Sequence, residues 1–108
     1  MSTDPGTTSK VTMIGTITCH DGKADDLEEV FVRMVEAAEG EPGVEVYSYH
    51  RGEENTFWFF ALMADETAMK EHGQSAAMQE AVQAAMPLMA GPPAISMAAP
   101  VAGIGLGR

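Results

Sequence analysis

At 108 residues the chain has the length of a single domain, long enough to bury a real core. Hydrophobic residues make up 45% of it and charged residues 20%, as in ordinary soluble globular proteins, yet the formal net charge is −10. That charge argues against nucleic acid as a partner, because phosphate backbones need clustered Lys and Arg, and it disfavours anionic membrane surfaces; local cations could still hold an anionic substrate.

The first ten residues are polar and rich in Ser, Thr, Asp, Pro and Gly, which predicts a disordered leader over residues 1–10. They contain no apolar signal core, so the expected location is the cytoplasm. A first strand is predicted from Val11 to Cys19, where Val11, Met13, Gly15, Ile17 and Cys19 alternate with Thr12, Ile14, Thr16 and Thr18. Cys19 is the one cysteine, so no intrachain disulfide or CxxC-type metal site can form, and no His–Cys pattern marks it as a nucleophile.

After the Asp21–Gly22 turn, Leu27, Val30, Phe31, Met34, Val35 and Ala38 recur at helical spacing, with acidic residues on the opposite side. The spacing predicts a helix to about Glu39, ended by Gly40-Glu41-Pro42-Gly43. Val44 to Arg51 alternates as a second strand, and Gly52 to Asn55 makes a hairpin turn into the run Phe57-Trp58-Phe59-Phe60-Ala61-Leu62-Met63. Seven apolar residues are far short of the ~20 a membrane helix needs; they suit a strand covered on both faces. Asp65 can cap a short helix that places Ala68, Met69 and His72 on one side, with Gly73 as its stop. Ser75 can cap the next, striped by Met78, Ala81, Val82, Ala85, Leu88 and Met89 and ended or kinked at Pro87. Gly91-Pro92-Pro93 breaks the chain before a last strand, Ala94 to Val101, and residues 102–108 form a flexible Gly-rich tail.

The order is β-α-β-β-α-β with the second helix broken in two. It defines an α+β, ferredoxin-like split β-α-β fold spanning residues 11–101, a four-stranded antiparallel sheet with helices on one face. A second copy of the chain is the simplest cover for the bare face, so a homodimer through the sheet is expected.

Three stretches carry a resemblance: Asp21-Gly22-Lys23-Ala24-Asp25 opening the first helix, Glu41-Pro42-Gly43 before the second strand, and Phe57 to His72. In that order the chain, from about Val11 to Val101, resembles the antibiotic biosynthesis monooxygenase (ABM) domain of the dimeric α+β barrel group, which includes small quinol monooxygenases. The resemblance implies two protomers packed sheet to sheet, each with a pocket between sheet and helices. It also implies oxygenation of hydroquinones or polyketide phenols by molecular oxygen without metal or flavin. The sequence departs from the pattern in one place: Ala61 and Met63 stand where many relatives carry Glu and Trp. Haem-degrading relatives use an Asn on the first strand, which is missing here, with His72 at their Trp position and Val82 at their His position; haem degradation is not expected.

His72 is the candidate catalytic residue, since a neutral imidazole can accept a phenolic proton near pH 7. The competing role is a helix-end histidine bonded to backbone. Tyr47 and Tyr49 point the same way from the second strand and could hold the oxygens of an aromatic substrate, or pack at the dimer interface. Trp58 could wall the pocket or sit in the core, and His50 could enter the pocket or the interface. Strand parity separates Trp58, Phe60 and Leu62 from Phe57, Phe59, Ala61 and Met63 without saying which set meets the helices. The methionines read as core filling or as an adaptable pocket lining. His20 beside Asp21 and Asp25 is a faint metal pattern; no metal or cofactor is expected. The alternative function is a non-catalytic dimeric barrel that binds a small hydrophobic ligand or serves as an interaction module.

Overall fold

The computed structural model describes residues 10–106. Strand β1 spans Val11–Thr18, helix α1 Ala24–Ala38, β2 Val44–Arg51, β3 Thr56–Met63, α2 Glu66–Gln74, α3 Ala76–Ala85 and β4 Ala94–Ala98, with a 3₁₀ turn Met86–Leu88 after α3. The strands form one antiparallel sheet ordered β2-β3-β1-β4. This is the α+β ferredoxin-like architecture expected from the element order.

Alternation along the strands decides the layers. Ile17 on β1 and Phe57, Phe59, Ala61 and Met63 on β3 are buried; Ile17, Phe57 and Phe59 pack with Leu27, Val30, Phe31 and Met34 of α1, and Ala61 and Met63 with Ala68 of α2. The other face of β3 carries Trp58, which is 52% exposed, half-buried Phe60 and buried Leu62. Ile14 of β1 shares that outer face and is 42% exposed.

Capping sets the helix ends. Asp65 Oδ1 accepts from the Ala68 N–H at 2.8 Å, and Ser75 Oγ accepts from the Met78 N–H at 3.1 Å, so each side chain satisfies a donor that the first helical turn leaves open. The stop expected at Gly73 is not used. Helix α2 runs on to Gln74 and ends where Ser75 turns extended (φ −64°, ψ 149°) to begin the next cap. Pro87 ends α3 as expected, by tightening the chain into the 3₁₀ turn. Strand β4 stops at Ala98 rather than Val101, because its pairing with β1 ends at Thr12.

Of the expected leader, residues 1–9 lie outside the described residues. Lys10, the last residue of that leader, is buried and its ammonium pairs with Glu45. Residues 107 and 108 of the tail lie outside the described residues as well; Val101 and Ile104 are fully exposed.

Candidate active site

Helices α1, α2 and α3 cover the inner face of the sheet unevenly. Every residue of β4 is exposed, Ile95 and Met97 about half so, and the space between sheet and helices opens on that side. There lies a cavity of about 870 Å³, within the size range of small-molecule sites. Its lining is overwhelmingly apolar and includes eight of the nine methionines of the chain. The methionines thus border the cavity, and two of them, Met34 and Met63, are at the same time buried core residues. Flexible thioethers surround a space that their own packing does not close.

The polar groups on this wall are few. His72, only 7% exposed, comes from the second turn of α2; Tyr47 and Tyr49 come from β2. The bulge between Val44 and Val46 sets the register that pairs Tyr47 with Ala61 and Tyr49 with Phe59, both residues of the helix-facing side of β3. The two phenol oxygens lie 2.9 Å apart and share a hydrogen bond. Tyr49 stacks on Phe31 with ring centres 4.1 Å apart, while Tyr47 meets His72 edge-on at 5.0 Å.

Burial pushes the Tyr47 hydroxyl well above the ordinary phenol range, reinforced by Tyr49 and by the charge of Glu41. Burial also raises Tyr49, partly offset by the bond from Tyr47. Both phenols stay protonated at neutral pH. One hydroxyl is used as the donor in the bond between them, which leaves the other free to donate to a ligand oxygen, and neither can act as a base.

A carboxylate that the sequence analysis did not place in the site lies against the histidine. Glu41 Oε1 is 2.7 Å from His72 Nδ1. Glu41 sits in the Gly40–Gly43 loop, whose two glycines take left-handed φ values of 91° and 85°. Gly43 O accepts from the Ala64 N–H at 2.7 Å, which ties the loop to the end of β3. Ser75 Oγ donates to the His72 carbonyl at 3.0 Å and fixes the joint between α2 and α3. His72 Nε2 has no partner among the described residues. No fully buried side-chain N or O among them lacks one, so Nε2 borders open space.

His50 and Trp58 are elsewhere. They pair across β2 and β3 on the outer face, His50 Nε2 lies 2.9 Å from Ser48 Oγ, and neither side chain lines the cavity. Strand parity carries both to the opposite side of the sheet from Tyr47 and Tyr49. Arg51 is turned to the surface, where Asp25 and Glu28 hold it at 2.8 and 2.9 Å and raise its pKa. Asp21 bonds Asn55 at 2.6 Å, and among the described residues no group of His, Cys, Asp and Glu is placed to hold a metal.

This combination, an open apolar cavity on the helix side of an antiparallel split β-α-β sheet, has relatives. The family model of the antibiotic biosynthesis monooxygenases matches residues 10–84. The chain belongs to that family. A solved Caulobacter crescentus structure, described as a candidate antibiotic biosynthesis monooxygenase, is 28% identical, with a TM-score of 0.83 over 88% of this chain and 92% of its own. A Chloroflexus aurantiacus protein of the same description (23% identity, TM-score 0.78, 92% and 100% covered) shares the fold. So does a Mycobacterium tuberculosis protein (19% identity, TM-score 0.80, 88% and 98% covered). Among curated proteins, none matches the chain. Within the ABM frame the cavity, His72, Glu41 and the tyrosine pair are this chain's own candidate site. No helix among the described residues is long and apolar enough to cross a membrane.

Proposed function

We propose that the protein is a cofactor-independent monooxygenase that oxidises a small aromatic, a hydroquinone or polyketide phenol, in the cavity between sheet and helices. One observation carries this reading: a proton acceptor, His72, and a pair of phenolic donors meet on the wall of an otherwise apolar, open cavity.

His72 Nε2 takes the proton of a substrate hydroxyl, and the tyrosine pair holds a substrate oxygen by hydrogen bonding. An aryloxide in an apolar cavity is poorly solvated and electron-rich, which suits it to reduce molecular oxygen. For a hydroquinone the balance is hydroquinone plus O₂ giving hydroxyquinone plus water. One oxygen atom forms a new C–O bond; the other leaves as water, and all the electrons come from substrate. The chemistry needs no reductant and no bound redox group. Eight flexible methionines fit a substrate whose outline is flat and polarisable.

The outer sheet face, with Trp58, Ile14 and Phe60, is proposed as the homodimer interface, because it leaves large apolar side chains half exposed on the uncovered side of the sheet. Oxygen uptake measured over a panel of hydroquinones and polycyclic phenols tests the enzyme. Turnover is expected for the wild type, falling by about 100-fold or more in His72→Ala, the usual contribution of a general base. A wild type that binds these compounds without consuming oxygen would leave only the non-catalytic reading, a barrel that holds a small hydrophobic ligand.

A further inference from the structure

We propose that Glu41 is the positioning residue that makes His72 a base, by fixing which imidazole nitrogen carries the proton. The inference rests on the reading of His72 as proton acceptor, and its test is separable from that reading.

A neutral imidazole has one N–H donor and one lone-pair acceptor, and an ionised carboxylate can only accept. At 2.7 Å, in the range of charge-assisted bonds, Glu41 Oε1 and Nδ1 must therefore share a proton that sits on Nδ1. The lone pair is left on Nε2, the nitrogen with no partner among the described residues. Free histidine prefers the opposite tautomer, with the proton on Nε2. Without Glu41 the ring would present a donor to the cavity, and a phenol could not hand it a proton. When Nε2 does gain a proton, the same carboxylate faces the new positive charge across a 2.7 Å contact between a buried ring and a partly buried acid.

The backbone holds this arrangement in place. Gly40 and Gly43 give the loop its left-handed turns, and the Gly43 carbonyl anchors it to Ala64. Gly43 also lies so close to α2 that a Cβ there would be 2.4 Å from Ala68 Cβ. Loop and helix are thus fixed together, and Glu41 reaches His72 across 31 residues of sequence. The other ionisable groups facing the ring are Tyr47, edge-on at 5.0 Å, and Tyr49 behind it; both stay protonated, so neither competes with Glu41 for the Nδ1 proton.

The test is two-bond ¹H–¹⁵N correlation of the three histidine rings in ligand-free protein, at a pH where the rings are neutral, with His72 assigned by its loss in His72→Gln. The wild type is expected to show His72 protonated on Nδ1. Glu41→Ala, and the better-packed Glu41→Gln whose amide can donate to Nδ1, are expected to shift the ring toward the Nε2–H form, while Glu41→Asp retains part of the Nδ1–H form. A wild-type ring protonated on Nε2, or a tautomer unchanged in Glu41→Ala and Glu41→Gln, overturns the proposal. On any hydroquinone the wild type turns over, Glu41→Ala should lose kcat about as far as His72→Ala, ~100-fold or more, with KM little changed. Failure of all turnover would sink the enzymatic reading of His72, and the ring signals alone would then decide the role of Glu41.

Discussion

The tyrosine pair makes a prediction that needs no substrate. Tyr47 and Tyr49 are the only tyrosines in the chain, so tyrosinate absorbance reports on these two residues alone. Both hydroxyls have pKa values raised by burial above the 10.0 of an exposed phenol, whereas in the unfolded chain both ionise near that value. The sign follows from proton counts. Above pH 10 the unfolded state has lost protons that the folded state keeps, so stability contributed by the pair is fully present below pH 10 and drains away as pH rises. Each group costs about 1.4 kcal/mol per pH unit while its folded form remains protonated, so the two together remove at most about 3 kcal/mol by pH 11. Urea unfolding at intervals between pH 8 and 11 measures the loss, and Tyr47→Phe/Tyr49→Phe supplies the baseline because lysine titration is common to both proteins. The wild type should fall more steeply than the double variant by up to that amount. Its tyrosinate signal should appear only on unfolding or well above pH 10. Parallel pH curves for the two proteins, or tyrosinate forming near pH 10 in folded protein, would refute the buried, paired arrangement of the two phenols.

Trp58→Lys places a charge at the centre of the exposed outer face without touching the cavity, so it should convert a dimer to a folded monomer; sedimentation of the wild type as a monomer at micromolar concentration would refute the interface. Gly43→Ala should destabilise the fold by roughly 2–4 kcal/mol, from a left-handed φ of 85° plus the 2.4 Å approach to Ala68, lowering Tm by roughly 10 °C or more; a thermal midpoint within about 2 °C of wild type would contradict the tight loop–helix contact.

How far the sequence could be read depended on which physical signal was local. The helical stripe from Leu27 to Ala38, the caps at Asp65 and Ser75 and the break at Pro87 each act within a turn or two, and the structure has all of them. Gly73 failed as a stop because one glycine only weakens a helix by about 1 kcal/mol, and Ser75 two residues later supplies the actual end. Strand alternation separates two faces but does not say which one the helices cover. That ambiguity kept Trp58 and His50 as candidates together with Tyr47 and Tyr49, whereas in the fold only the tyrosines face the cavity. Glu41 was beyond reach for a different reason. Its loop, Glu41-Pro42-Gly43, was visible as a turn and as part of the family resemblance. Its partner His72 lies on another element, however, and no periodicity links the two.

The departure at Ala61 takes on a different meaning beside Glu41. The family resemblance implies a carboxylate near the end of β3 in many relatives, and this chain has a buried alanine there, directly across from Tyr47. A larger side chain at that position would project into the same inner layer as the Tyr47 ring. With alanine in place, Tyr47 bonds Tyr49 and turns its edge to His72, while the carboxylate of the site arrives from the loop before β2. The acid is then bonded to the histidine and kept to one side of it, and the cavity surface itself carries a proton acceptor and phenolic donors but no carboxylate among its lining residues. Such a wall repels no aryloxide as it forms. On the proposed reading, the alanine at position 61 and the contact at position 41 together leave proton acceptance to His72 and hold the negative charge behind it.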